Sequence, residues 1–172
     1  MRTRVTTAAL SAMLVLALAG CTTPEPPEPT PTPAFASEEE AFAAAEATYR
    51  AYVDALNQLH AGADATPAPT DYLIGTALEA ELVTQRTLEE MHRSLVGTAV
   101  VASFTATSLS TDHTEIEAVV CLDVSDSRVI DADGDDVTPS ERPSVLALEI
   151  GFVQTGGELA VASSKVADHQ TC

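Results

Sequence analysis

Over about 37 to 59 and 76 to 95 the apolar residues of this chain recur at three- and four-residue spacing, and from Val100 they recur at two. A helical period followed by a strand period, each sustained, restricts the fold to helices laid against an antiparallel sheet, an α+β plan. Ser37 followed by Glu38, Glu39 and Glu40 is a helix start, with a capping hydroxyl and acids near the positive end of the dipole. Phe42, Ala45, Tyr49, Tyr52, Leu56 and Leu59 then predict one long amphipathic helix over about 37 to 59, ended by His60-Ala61-Gly62. Tyr49 and Tyr52 read as core residues, with the lining of a pocket as the alternative. Residues 63 to 70, with Pro67 and Pro69, form a loop, and Asp71 to Gly75 a short turn closed by glycine. Thr76 is placed to cap a second helix with Glu79 at its third position. Its apolar stripe is Leu78, Leu82, Gln85, Leu88 and Met91, and its charged residues, Glu79 and Glu81 among them, mostly face water. This helix is expected to run to about Leu95, stop at Gly97, and carry His92 near its negative end.

Four segments follow, at about 99 to 109, 113 to 124, 145 to 154 and 158 to 167. Ser110-Thr111-Asp112 and Thr155-Gly156-Gly157 make turns, so sequence neighbours pair antiparallel. In the second segment Ile116, Ala118, Val120, Leu122 and Val124 share the buried face, and Cys121 lies on the more polar one. In the third, Leu146, Leu148, Ile150 and Phe152 are the buried face. Between them, residues 128 to 131 and 136 to 138 flank Asp133-Gly134, a tight-turn pair, and predict a small hairpin.

Residues 1–20 have the parts of a secretory signal: Arg2 and Arg4, an apolar run from Val5 to Ala19, and small residues before Cys21. The run falls short of the roughly 20 residues a spanning helix needs. Leu18-Ala19-Gly20-Cys21 resembles a bacterial lipobox, which implies a Cys21 carrying acyl chains and a protein held on the extracytoplasmic face of the cell membrane. Six of the ten prolines fall in residues 22 to 36. That segment favours extended polyproline II and reads as a tether reaching roughly 45 Å, with Thr-Pro repeats open to glycosylation. The division is therefore a leader at 1–20, a lipidated cysteine and tether at 21–36, and a single α+β domain at 37–172.

The leader contains two of the eight basic residues and no acid, so the remainder sets 6 Lys and Arg against 26 Asp and Glu, a formal charge of −20. Such a surface repels phosphate backbones and excludes nucleic acid as a partner. It is equally repelled by anionic headgroups, so membrane contact falls to the acyl chains. With Cys21 lipidated, Cys121 and Cys172 remain as one pair in an oxidising compartment, and a Cys121–Cys172 disulfide is expected. Closing a loop of about 52 residues, it is worth about 4 kcal/mol in the chain-entropy description. Two free thiols are the alternative, or a redox pair, which lacks the Cys-x-x-Cys spacing.

Residues 131 to 136 contain four aspartates, yet the sixth and twelfth positions of a calcium loop, here Asp136 and Arg142, carry the wrong residues, so a solvated acidic turn is expected. His60, His92, His113 and His169 have no ligand spacing, and no cofactor motif is present. The helix from Thr76 to Leu95, Val120 to Ser125, Val129 to Gly134 and the closing Val166 to Cys172 together resemble the small actinobacterial surface lipoproteins of the nuclear-transport-factor-2-like superfamily, with its SnoaL and ketosteroid-isomerase shape. The resemblance implies two helices on one face of a curved sheet of four or more strands, a cone, and carries over no catalytic or metal-binding residue. Three functions follow from it: a non-catalytic module binding a small ligand or an envelope protein, a pocket enzyme moving protons with Tyr49 or Tyr52 and a buried acid, and a structural module forming homodimers through its sheet. Mass spectrometry of Cys21→Ala is expected to show loss of the acyl mass and release of the protein into the medium.

Overall fold

The structure, a computed structural model, describes residues 35–167 and Cys172; the leader, Cys21, the tether as far as Ala34, and His169 lie outside the described residues. Helix α1 spans Glu38–His60. The Ser37 hydroxyl accepts the Glu40 N–H at 3.1 Å and the Glu40 carboxylate accepts the Ala36 N–H at 2.8 Å, closing the first turn from both sides. The face turned to the sheet is a single row at four-residue spacing, Ala41, Ala45, Tyr49 and Val53, all buried. The alanines let the helix backbone approach the sheet, and the Tyr49 ring fills the space one turn on.

A 3-10 turn, Pro69–Tyr72, leads into helix α2, Gly75–Glu90. The structure corrects both ends of this helix. Gly75 is its first residue, not the end of a preceding turn, and Thr76 does not cap it. The Ile74 N–H donates instead to the Val161 carbonyl (2.9 Å) and the Thr76 hydroxyl to the Ala162 carbonyl (3.1 Å). Both donors are thereby paired with carbonyls at the β6 edge, and the Thr76 hydroxyl is committed there. At the other end Arg93 N–H donates to Leu88 and His92 N–H to Glu89, a Schellman closure with His92 itself at φ 51°, five residues before Gly97. The inner face of α2 is also displaced. Ala77 is buried, Leu78, Glu81, Gln85 and Leu88 are half-buried, and Leu82 and Met91 stand exposed.

Six strands follow: β1 Ser94–Val96, β2 Val100–Leu109, β3 Glu115–Asp123, β4 Arg128–Ile130, β5 Val145–Thr155 and β6 Glu158–Val166. The main sheet is antiparallel in the order β2-β3-β5-β6, so the α+β plan of two helices on a four-stranded sheet holds. The anticipated small hairpin is present: the Asp131 N–H donates to the Asp135 carbonyl at 3.0 Å and the Val137 N–H to the Val129 carbonyl at 2.9 Å, beside the Ile130–Asp136 bridge. A second correction is that β4 also pairs along its length with β1, whose first residues the sequence places in α2. Early termination of α2 at His92 is what frees Ser94 to Val96 for this pairing.

Under the helices Ile116, Ala118 and Val120 of β3, Ile150 and Phe152 of β5, and Val161 of β6 are all buried, and the Phe104 and Phe152 rings lie 6.1 Å apart. Full burial of each of the larger of these side chains contributes about 1.5–3 kcal/mol. The opposite face carries the disulfide between Cys121 and Cys172, with alpha carbons 5.7 Å apart.

The edges of the sheet are tied to the helices. At the β2 edge, Asn57 of α1 donates to the Ala99 carbonyl at 2.9 Å and accepts the Ala99 N–H at 2.8 Å, and Arg50 donates to the Val101 carbonyl at 3.2 Å. At the β6 edge, Leu73 bridges Val161 in parallel, beside the Ile74 and Thr76 bonds. Replacing Asn57 by Ala strands both half-buried groups of Ala99. Asn57→Ala is expected to cost about 1–3 kcal/mol in urea denaturation, against a few tenths for the exposed Gln58→Ala.

Candidate functional site

Because α1 is tied to one edge of the sheet and α2 to the other, a cleft of about 350 Å³ opens between them. Leu56 and Leu59 of α1 form one wall, Leu88 of α2 the other, and Leu95 of β1 lies at the end. His60, Glu81, Thr84, Gln85, Glu89 and Ser94 supply the polar groups, and among the described residues neither lysine nor arginine lines it. Glu81 and Thr84 also line a smaller neighbouring hollow of about 140 Å³, which reaches Tyr49, Tyr52 and Val161.

Glu81 is the central polar residue. It projects from the inner face of α2 one turn after Ala77, and Gln85 one turn later donates to its Oε1 at 2.8 Å. No other protein donor meets this carboxylate among the described residues. The Tyr52 phenol is pushed well above the ordinary tyrosine range, first by burial and then by the charge of Glu81. Tyr49 is pushed up by burial alone, and the two rings stand 5.9 Å apart. The His60 imidazole is pushed below its ordinary value by burial, which outweighs the opposing pull of Glu81, and its Nδ1 is buried without a partner. At neutral pH the cleft thus combines uncharged phenols and an uncharged imidazole with carboxylate charge.

Of the residues singled out in the sequence, Tyr49 belongs to the core and Tyr52 lines the smaller hollow. Glu81, assigned to the water-facing side of α2, is brought inside, and so is His60. The spacing Ala77, Glu81, Gln85, Leu88 was the signal: an acid and its amide partner set within an inward row. His92 and His113 lie away from this cleft. In the acidic turn, Asp131 Oδ1 accepts the N–H groups of Asp133 and Asp135, both at 3.0 Å, and Asp136 accepts the Thr138 N–H at 2.9 Å. The Thr138 hydroxyl and then its N–H hold the Asp136 carboxyl below its usual range, with Arg128 adding to the effect. Among the described residues no group of three or more His, Cys, Asp or Glu side chains is placed to hold a metal ion.

Comparison with protein-family models and with curated proteins gives no match. Among solved structures, the chain is similar to the intermembrane space region of the chloroplast protein ARC6, with a TM-score of 0.53 at 12% identity, over 73% of this chain and 95% of that one. This likeness is one of fold. A candidate polyketide cyclase from Xanthomonas campestris pv. campestris aligns over 73% of this chain and 90% of its own, at 12% identity and a TM-score of 0.38.

Burial of His60 has a consequence for pH. Its folded value lies below the unfolded value of about 6.5, so between the two the unfolded chain binds more protons, and stability falls as pH drops through 6.5. Glu81 and Glu89 face it from α2, and the adjoining β1 residues, Ser94 and Leu95, do not titrate. Thermal unfolding between pH 7 and 5 is therefore expected to fall less steeply for His60→Gln than for the parent protein.

Proposed function

We propose that this is a membrane-tethered extracytoplasmic binding module that holds a small ligand in the cleft between α1 and α2. One observation carries the reading. The concave face of the sheet is filled by Ile116, Val120, Ile150 and Phe152, whereas the space between the helices is left open and walled by leucines around a few polar groups. A concavity of this size, apolar with few polar groups, is what small-ligand sites share. The leader and lipobox of residues 1–21 support attachment through Cys21. No helix among the described residues is long and apolar enough to cross a membrane. Recurrence of the fold in an intermembrane space region is compatible with work outside the cytosol.

The proton-transfer alternative asks for a group that titrates near the working pH. Tyr49 and Tyr52 are moved away from it. No observation favours a sheet-to-sheet homodimer over the cleft.

The neutral apolar dye N-phenyl-1-naphthylamine reports on such a cleft by fluorescence. It is expected to bind the parent protein and to lose at least about tenfold in affinity in Leu56→Trp, whose indole occupies the space, without change in thermal unfolding of comparable size. Equal binding by both proteins overturns the assignment.

A further inference from the structure

The charge around the cleft says more about the ligand than its size does. Glu81 stands at the meeting point of the large cleft and the smaller hollow, with only the Gln85 amide donating to it. Glu89 lies two turns beyond Glu81 along the same side of α2. Among the described residues no lysine or arginine lines the cleft, so none supplies a counter-charge to the carboxylate there. His60, the basic side chain in the lining, is shifted towards its neutral form by burial, against the opposing pull of Glu81. An anionic ligand entering this space meets repulsion in a partly desolvated setting, where charges interact more strongly than in bulk water. A neutral apolar ligand leaves the Glu81 carboxylate facing it with the Gln85 amide as its one protein donor among the described residues, which costs more than leaving it in water. A cation satisfies the carboxylate and adds a charge-assisted hydrogen bond. Four leucines, Leu56, Leu59, Leu88 and Leu95, provide apolar contact for whatever the cation is attached to.

We infer that the cleft selects cationic amphiphiles: molecules with a protonated amine that meets Glu81 and an apolar body that lies between the leucines of α1 and α2. This rests on the small-ligand reading of the same cleft and narrows it to one class. The strong overall acidity, a formal −18 for the whole chain at pH 7, favours arrival of such a ligand as well as its retention.

The test uses decylamine, decanol and decyl sulfate, which share a tail and differ in the head, each kept below micelle-forming concentration. Each is titrated at pH 7.5 against the protein carrying N-phenyl-1-naphthylamine. Decylamine is expected to displace the dye at concentrations at least about tenfold below those of decanol, and decyl sulfate not to displace it. In Glu81→Gln, which keeps the shape and the Gln85 contact, the amine's advantage is expected to shrink to within about threefold of decanol. Glu39→Gln, on the far end of α1, separates binding in the cleft from general attraction to an acidic surface, and is expected to leave the advantage intact. If decanol or decyl sulfate displaces the dye as well as decylamine does, or if Glu39→Gln matches Glu81→Gln, the cationic selection is overturned while the small-ligand reading stands. If none of the three displaces the dye and Leu56→Trp binds it unchanged, both are overturned.

Discussion

The two-way hydrogen bond between the Asn57 amide and the backbone of Ala99 is the contact on which the arrangement of this fold depends. An open sheet has two edges whose N–H and C=O groups need partners, and an unprotected edge invites pairing with another chain. Here a helix side chain imitates a neighbouring strand at the entry to β2. At the far edge, the segment leading into α2 does the same with its own backbone at Val161 and Ala162. Satisfying both edges with the helices has a geometric result: each helix is tied to its own side. The gap between them follows from how the sheet is finished off, not from the side chains that line the gap.

Those side chains then set its character. Burial shifts Tyr49, Tyr52 and His60 further towards their uncharged forms, in opposite directions but with one outcome. The carboxylate among them is steadied by an amide four residues on. A space with apolar walls, neutral rings and carboxylate charge is suited to holding a molecule by complementarity.

Much of the architecture was legible because it is written in period. The row from Phe42 to Leu59 and the alternation from Ile116 to Val124 gave α1 and the central strand nearly to the residue. The disulfide followed from parity once Cys21 was set aside. What escaped was decided by distant partners. Thr76 had every local mark of a cap, but Ala162, eighty-six residues away, takes its hydroxyl. His92 ends α2 in a left-handed conformation that sequence reading reserves for glycine, and the misplaced end hid β1. Glu81 looked like one more surface acid on a strongly acidic chain. Only the angle at which α2 lies, fixed by its attachment to β6, turns it inward.

Gly97, passed over as a helix terminator, is where the chain leaves β1 for β2 at φ 84°, so close to the loop after β3 that a Cβ would overlap the carbonyl oxygen of Asp126. The obstruction is backbone, which cannot rotate out of the way as a side chain can. Gly62, Gly134, Gly156 and Gly157 face open space, and at those positions the difficulty is conformational only. Any side chain at position 97 would therefore have to reroute the crossing between the two sheets, and with it the strand that closes the end of the cleft.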